Sequence, residues 1–246
     1  MNRRKWISLG CELVSIDMDV LVKYLVRNKF ERLSSNLTLP IVVHSVPGAG
    51  KSTLIRELIV ADSRFSAYTF GKPDQPNLKG VFIKPAGADK LEGEFTILDE
   101  YLEGNVPVGT FAVFADPLQG GSGALLRAHF IKRISHRFGT NTAHFLQKLG
   151  FEVEAEGEDV VTVADIYKEE PAGVVLYHEK EIGALLANHS VEAYCIKELR
   201  GQTFESVTFV TAEQSPTLDR ALSFQCLTRH RKSLLILCPD ATYTAS

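Results

Sequence analysis

The amino-acid sequence predicts an α/β protein with mainly parallel sheets. Apolar, β-branched runs of strand length recur along the chain, and several are separated by stretches that suit helices. This alternation is typical of a parallel sheet covered by helices on both faces. The predicted strands are residues 41–44, 95–98, 111–114, 174–177, 207–211 and 234–238, and the predicted helices are residues 52–61, 179–188 and 218–227.

The composition is that of an ordinary globular protein. A chain of 246 residues suffices for one large or two small domains. Its 45% hydrophobic and 23% charged residues exclude disordered and collagen-like classes. We expect buried thiols rather than a metal or disulfide framework, because no paired CxxC spacing occurs among Cys11, Cys195, Cys226 and Cys238.

Neither a membrane anchor nor a signal peptide is predicted. The longest uncharged stretch, residues 33–50, contains two prolines and several polar residues, whereas a bilayer requires about 20 apolar residues. The basic residues 3–5 resemble the start of a signal peptide, but acidic residues at 12, 17 and 19 interrupt any apolar segment that follows. We therefore expect a cytoplasmic protein without direct membrane insertion.

Charge is unevenly distributed along the chain. The net charge of −3 excludes a globally basic nucleic-acid-binding surface, so any such surface must be local. No acidic residue lies between Asp116 and Glu152, and five acidic residues then follow within residues 152–159. This reversal of sign predicts a domain seam nearby. The basic residues of the acid-free stretch are Arg127, Lys132, Arg133, Arg137 and Lys148.

A glycine-rich segment, SVPGAGKST at residues 45–53, lies between a predicted strand and a predicted helix, which is the context of a P-loop. Glycines let backbone N–H groups face phosphates, and the helix N-terminus adds about half a positive charge. Lys51 should reach the β and γ phosphates, and Ser52 should supply an oxygen to Mg²⁺. Ser45 stands where the usual spacing has a glycine. The predicted nucleotide-binding residues are Ser45, Val46, Pro47, Gly48, Ala49, Gly50, Lys51, Ser52 and Thr53.

Polar residues also follow the next two predicted strands. Asp99 and Glu100 end an apolar strand, where Asp99 can hold Mg²⁺ and Glu100 can polarise the attacking water. Gln119 follows residues 111–114 and could sense the γ-phosphate or orient water. Phosphoryl transfer also needs cations that neutralise developing charge, and Arg137 and Arg229 are the candidates. Because both lie far from the P-loop in sequence, they indicate a cleft closed by two domains.

Six segments together resemble motifs I to VI of the superfamily 1 viral RNA helicases. In chain order they are VPGAGKST, ILDEY, FADPLQ, SHRFG, ELRGQTFESVTFV and CLTRHR. The short chain, of which the resemblance covers roughly nine-tenths, is similar to the first triple-gene-block movement proteins of potexvirus-like and carlavirus-like plant viruses. Ser45 departs from this family's pattern, as does Ala115, where a glycine often precedes the motif III aspartate.

The resemblance implies two RecA-like P-loop domains, residues 1–130 and 131–246, and an ATP-dependent RNA helicase that uses Mg²⁺. It assigns Lys51, Asp99, Glu100, Gln119, Arg137 and Arg229 to catalysis and Ser52 and Asp99 to the metal. It also implies binding of single-stranded viral RNA, cell-to-cell transport through plasmodesmata from the host cytoplasm, and suppression of RNA silencing. The implied partners are the coat protein, the other two triple-gene-block proteins and further copies of the chain. Thr69 and Thr203 are candidate contacts to the RNA backbone.

Two other functions remain open from the sequence. The first is a non-translocating RNA-binding interaction protein with a dispensable ATPase. The second is a small-molecule kinase or GTPase with a single P-loop domain, although no NKxD-like base-reading motif is present and the two late arginines would be unexplained.

Overall fold

Two β-sheets organise the part of the chain that the structure describes. This structure is a computed structural model that describes residues 18–87, 91–121, 123–199 and 201–244. One sheet has seven strands and the other has five, and a separate two-stranded pair lies between them in sequence. The molecule is therefore a mixed α/β protein with mainly parallel sheets, as predicted.

The seven-stranded sheet is built from the first part of the chain. Its order is β1-β7-β2-β6-β5-β3-β4, and every pairing except β1 with β7 is parallel. Two helices, α1 at residues 18–27 and α2 at Lys51–Ala61, accompany it. The strands are β1 (Glu31–Arg32), β2 (Ile41–Ser45), β3 (Phe65–Thr69), β4 (Lys84–Pro85), β5 (Phe95–Asp99), β6 (Ala112–Ala115) and β7 (Phe130–Lys132).

The five-stranded sheet is parallel throughout. A short parallel pair, β8 (Ile134–Ser135) with β9 (Glu154–Ala155), precedes it. The sheet consists of β10 (Val160–Asp165), β11 (Val174–Tyr177), β12 (Ala193–Cys195), β13 (Phe204–Val210) and β14 (His230–Cys238), in the order β10-β14-β13-β11-β12. The accompanying helices are α3 (Thr140–Lys148), α4 (Lys180–Asn188) and α5 (Arg220–Leu227).

Continuous apolar runs explain the central strands. All residues of β2, β5 and β6 are buried, as expected of parallel strands that are covered on both faces. One face of the first sheet packs on α1 and α2 through a cluster that includes Leu21, Leu54 and Phe114. The core of the second sheet includes Phe209 and Phe224, and it also takes in residues 46 and 49 of the P-loop. The phosphate loop is therefore packed against the second half of the chain.

The predicted strands and helices are all present, with shifted boundaries. Strand β13 begins at Phe204 and β14 at His230, each earlier than predicted. The sequence did not predict α3, β3 or β10, among others. The domain division at residues 130/131 stays a prediction, although β7 at that position belongs to the first sheet.

The cysteines agree in part with the expectation of buried thiols. Cys226 and Cys238 are free and buried, whereas free Cys195 is half-buried. Cys11 and the basic residues 3–5 lie outside the described residues. Among the residues that are described, no helix has both the length and the hydropathy required to cross a bilayer.

Candidate functional site

A cleft of about 980 Å³ lies between the two halves of the chain, at the end of β2. The walls come from the P-loop, from the segments after β5 and β6, and from residues near α5 and β14. Of the predicted site residues, the cleft is lined by residues 46–53, Thr69, Asp99, Glu100, Gln119, Arg137, Thr203 and Arg229. Ser45 is the exception, because it is buried at the end of β2 and its hydroxyl lacks a hydrogen-bond partner.

The P-loop has the backbone conformation that its glycines permit. Gly48 and Gly50 have φ values of 75° and 91°, in the left-handed region that favours glycine. Gly50 caps α2, and within the described parts of the chain no side-chain hydrogen bond caps the N-terminus of this helix. Its first N–H groups are therefore available to an anion, which the helix dipole also favours.

Residues from the second half of the chain hydrogen-bond to the backbone carbonyls of the P-loop. The hydroxyl of Ser135 donates to the carbonyl of Pro47 at 2.8 Å, and the N–H of His136 donates to the carbonyl of Gly48 at 3.0 Å. Space there is tight, because a Cβ atom at Gly48 would lie 2.5 Å from the Cβ of Arg137. This position therefore needs glycine both for its φ value and for close approach.

Lys51 is buried among carboxylates. Its side chain is 8% exposed, and its Nζ lies 3.7 Å from Oε1 of Glu100. Burial alone would lower the pKa of this ammonium, but the charges of Glu100, Asp116 and Asp99 outweigh burial and raise it. Lys51 is therefore a cation that neighbouring carboxylates stabilise, and its ammonium group can bind a phosphate in their place.

Asp99 and Ser52 bring two oxygen atoms together beside the P-loop. The hydroxyl of Ser52 lies 3.4 Å from Oδ2 of Asp99, while the N–H of Glu100 donates to Oδ1 at 3.0 Å. Burial and the neighbouring charge of Glu100 raise the pKa of Asp99 to about 7. Such a pair of oxygens suits a hard divalent cation, and a bound cation would favour the ionised carboxylate.

Glu100 has an unusual backbone that turns its side chain into the cleft. Its φ of 53° lies in the left-handed region, which costs a non-glycine residue about 1 to 2 kcal/mol. The neighbouring Tyr101 is buried, and its hydroxyl is within hydrogen-bond distance of the ring of His44, at 2.9 Å. This anchor holds the strained turn and keeps the carboxylate of Glu100 facing Lys51.

Gln119 is fixed by contacts with both halves of the chain. Its side-chain amide donates to Asp116 at 2.8 Å, and its backbone carbonyl accepts from Nε2 of Gln225 at 2.8 Å. Burial raises the pKa of Asp116 to about 6, although Lys51 opposes the rise. Gln119 thus joins the P-loop side of the cleft to α5.

Arg137 and Arg229 both reach the cleft with few partners. Arg137 donates from Nη1 to the carbonyl of Thr228 at 3.4 Å, and Arg229 donates from Nη1 to the carbonyl of Gln202 at 3.3 Å. The Nε of Arg229 is buried without a hydrogen-bond partner. Burial and the charge of Arg229 lower the pKa of Arg137 to about 10, and burial also lowers the pKa of Arg229. Two guanidinium groups that repel each other, one on buried Arg229 and one on half-buried Arg137, favour an anion between them.

The segment that carries Arg137 is anchored by a buried acid. Asp159 accepts hydrogen bonds from the N–H groups of Gly139, Asn141 and Thr142 at 2.9 to 3.2 Å, so it caps α3 from a distant part of the chain. Its Oδ2 lies 3.2 Å from Nε2 of His230, which adjoins Arg229. Burial raises the pKa of Asp159, but these hydrogen bonds outweigh burial and lower it to about 2.

The two candidate RNA contacts also lie in the wall of this cleft. Thr69 is buried and its hydroxyl accepts from the N–H of Gly71 at 2.9 Å, while Thr203 is half-buried. The sequence did not single out Asp116, His136 or Gln225 for the site. Asp116 and His136 stand within the FADPLQ and SHRFG segments, which were the available signals, whereas only the folded chain brings Gln225 to the cleft.

Comparison with known proteins identifies the class. Residues 41–238 match the model of the viral superfamily 1 RNA helicase core domain. The chain therefore belongs to the viral superfamily 1 RNA helicase family. This match disfavours the kinase and GTPase alternative.

Full-length relatives define the branch within that family. The movement and silencing protein TGBp1 of Lily symptomless virus is 62% identical and that of Chrysanthemum virus B is 52% identical, and each alignment covers 93% of this chain and 100% of the relative. The corresponding protein of Papaya mosaic potexvirus is 35% identical over 93% of this chain and 99% of the relative. This helicase chain is thus one of the TGBp1 movement and silencing proteins.

Solved helicases share the fold at low identity. The arterivirus nonstructural protein 10 helicase is 20% identical with a TM-score of 0.51, over 89% of this chain and 56% of its own. The PRRSV helicase is 17% identical with a TM-score of 0.51, over 81% of this chain and 47% of its own. The chain thus spans about half the length of these helicases, and the likeness concerns the fold alone.

Proposed function

We propose that the chain is an ATP- and Mg²⁺-dependent RNA helicase whose hydrolytic site is the cleft between its two halves. One observation carries this proposal. The P-loop lysine lines the same cleft as two arginines from the second half of the chain, buried Arg229 and half-buried Arg137. Neither arginine forms an ion pair with a carboxylate among the described residues, so both charges are available to a phosphate.

The residues present fit the nucleotide and its metal. Gly48 and Gly50 have left-handed backbone conformations, and the N-terminus of α2 has no side-chain cap. Backbone N–H groups in such a loop form a concave surface that suits an anion. The hydroxyl of Ser52 and the carboxylate of Asp99 supply the oxygens that Mg²⁺ requires. When bound, the metal would neutralise phosphate charge and orient the reacting oxygens.

The protein side chains then take separate roles. Lys51 would hold the β and γ phosphates, and Glu100 would accept a proton from the attacking water. Gln119 would sense the γ-phosphate through the link that it makes with Gln225 of α5. Arg137 and Arg229 would neutralise the charge that develops in the transition state, a contribution of about 10³ to 10⁵ in rate for arginines of this kind.

The biological role that we propose is transport of single-stranded viral RNA from cell to cell, with suppression of RNA silencing. The names of the relatives support movement and silencing. In this proposal the two sheets are two RecA-like domains that divide near residues 130/131, and RNA lies across both. Plasmodesmata, the coat protein, the other triple-gene-block proteins and self-association belong to the same proposal.

The test is the ATPase rate of the full chain with and without single-stranded RNA, in the presence of Mg²⁺. We expect RNA to stimulate the wild type, and we expect Lys51→Ala and Arg229→Ala to lose hydrolysis, the second with nucleotide binding retained. Lys232→Ala is the matched control, because Lys232 lies near Arg229 in sequence and is 78% exposed. Equal rates of ATP hydrolysis for wild type and Arg229→Ala would refute the proposal that both halves of the chain contribute to hydrolysis.

The same variants separate helicase action from passive binding. If Lys51→Ala retains RNA binding, movement and silencing suppression while ATP hydrolysis is lost, the ATPase is dispensable. The chain would then act as a non-translocating RNA-binding interaction protein. If movement is lost together with hydrolysis, the helicase proposal holds.

A further inference from the structure

A second polar cluster lies in the second sheet, apart from the nucleotide cleft. His178 and Glu179 follow β11, and Glu213 follows the neighbouring strand β13. One ligand atom from each of the three side chains can be chosen so that all lie within 4.8 Å of one another. None of the three lines the nucleotide cleft. The cluster is therefore a separate feature that the hydrolytic site does not use.

The position of this cluster is one where open α/β sheets bind ligands. From β11 the chain continues to β12 on one side of the sheet, and β13 lies on the other side of β11. Such a change of direction opens a crevice at the carboxyl ends of the two strands. His178, Glu179 and Glu213 lie at those carboxyl ends.

The side chains are buried, and Glu213 is only partly satisfied, whereas both carboxylate oxygens of Glu179 accept hydrogen bonds from Thr211 or Ala212. Their exposed fractions are 4% for His178, 9% for Glu179 and 6% for Glu213. Oε1 of Glu213 accepts from the N–H groups of Thr217 and Leu218, at 3.3 and 2.7 Å. Among the residues that the structure describes, Oε2 of Glu213 has no hydrogen-bond partner, and it lies 3.7 Å from Nε2 of His178. A buried carboxylate oxygen without a partner is costly, so this atom points to a missing positive ligand.

The spacing of the ligand atoms suits a small divalent metal ion. Nε2 of His178 lies 3.7 Å from Glu213 and 4.0 Å from Oε1 of Glu179. A tetrahedral centre with bonds of about 2.1 Å places its ligand atoms about 3.4 Å apart. The two distances from His178 exceed this by about 0.3 and 0.6 Å, and the separation of the two carboxylates exceeds it by at most about 1.4 Å, so side-chain rotations would complete the geometry. The hydroxyl of Ser223 lies 3.1 Å from Nε2 of His178, so it would be a fourth neighbour of the ion. Two carboxylates would balance the charge of a divalent ion.

We propose that His178, Glu179 and Glu213 bind a divalent transition-metal ion of the Zn²⁺ type. Imidazole with carboxylates is a donor set for such ions. The ion would join the ends of β11 and β13, and through Ser223 it would contact α5, the helix that leads to Arg229. Its role would be to stiffen the half of the molecule that supplies the arginines.

Cobalt binding to the purified full chain tests the proposal. Saturating Mg²⁺ is present throughout to occupy the P-loop site, and Co²⁺ replaces Zn²⁺ because its visible absorption reports the ligands. We expect one Co²⁺ per chain with the spectrum of nitrogen and oxygen ligands, and a thermal unfolding midpoint that rises with Zn²⁺. Glu213→Gln and His178→Gln should each lower Co²⁺ affinity at least tenfold. His189→Gln and Glu181→Gln are matched controls on exposed residues nearby, and both should bind as wild type does.

Three results would overturn the proposal. One is a wild-type chain that binds no Co²⁺, or no more of it than His178→Gln and Glu213→Gln bind. Another is a sulfur-to-cobalt charge-transfer band, which would assign binding to the free cysteines. The third is unchanged affinity in His178→Gln, which remains decisive even if Glu213→Gln does not fold.

Discussion

We expect Arg229 to lower the free energy of unfolding while it accelerates ATP hydrolysis. The variant Arg229→Met separates these two effects. Arg229 is 3% exposed, and among the described residues its Nε has no hydrogen bond and its guanidinium makes one donation, to the carbonyl of Gln202. Replacing buried charges with apolar side chains of similar volume is neutral or stabilises proteins by about 1 to 4 kcal/mol. The lost hydrogen bond to Gln202 costs about 1 kcal/mol. The net expectation for the free energy of unfolding therefore lies between a loss of about 1 kcal/mol and a gain of about 3 kcal/mol.

The assay combines urea unfolding with ATP hydrolysis on the same preparation. Arg229→Met should unfold at a urea concentration close to or above that of the wild type, while its hydrolysis rate falls by about 10³-fold. Lys232→Met, on an exposed residue paired with Glu205, is the control and should change stability by less than about 1 kcal/mol. A loss of more than about 2 kcal/mol in Arg229→Met would show that the guanidinium is structural and would refute the reasoning.

Three further predictions concern Gly48 of the P-loop, the buried carboxylate of Asp159 and the proposed metal ligand Asp99. Gly48→Ala should lose about 2 to 4 kcal/mol of unfolding free energy in urea titrations, from its φ of 75° and a 2.5 Å contact. Gly109→Ala, with a φ of 89° and open space around it, should lose only about 1 kcal/mol, and equal losses would disprove the contact. Because the pKa of Asp159 is lowered to about 2, its ionised form contributes about 2 kcal/mol above pH 4 that disappears as pH falls to 2, so the stability difference between wild type and Asp159→Asn should shrink over that range. Because the pKa of Asp99 is raised to about 7, Mg²⁺-dependent nucleotide binding by calorimetry should weaken from pH 8 to pH 6, and a flat profile would contradict this.

The sequence predicted the central strands well because they are buried on both faces. A strand such as β2, IVVHS, carries its signal as a continuous apolar run, and the P-loop after it is recognisable from residue types alone. The weaker elements lack such a signal. Strand β10 alternates between exposed and half-buried residues, and α3 begins without a local side-chain cap, because Asp159 supplies the cap from elsewhere in the chain.

The candidate site was predictable one residue at a time but not as an assembly. Sequence analysis could place Lys51, Asp99 and Arg229 in motifs, because the segments around them resemble helicase motifs. Their surroundings depend on tertiary contacts. Gln225 is an unremarkable helix residue until the fold brings it to the carbonyl of Gln119, 106 positions away in sequence. The His178 cluster escaped notice because its members come from two strands with no fixed spacing.

The hydrogen bonds behind the P-loop have a mechanical consequence. The segment that leaves the first sheet after β7 is hydrogen-bonded to the carbonyls of Pro47 and Gly48 before it reaches the five-stranded sheet. This connection is thus fastened to the loop itself. A rotation of the five-stranded sheet relative to the seven-stranded sheet would therefore displace the backbone of the P-loop directly, without a relay of side chains between them.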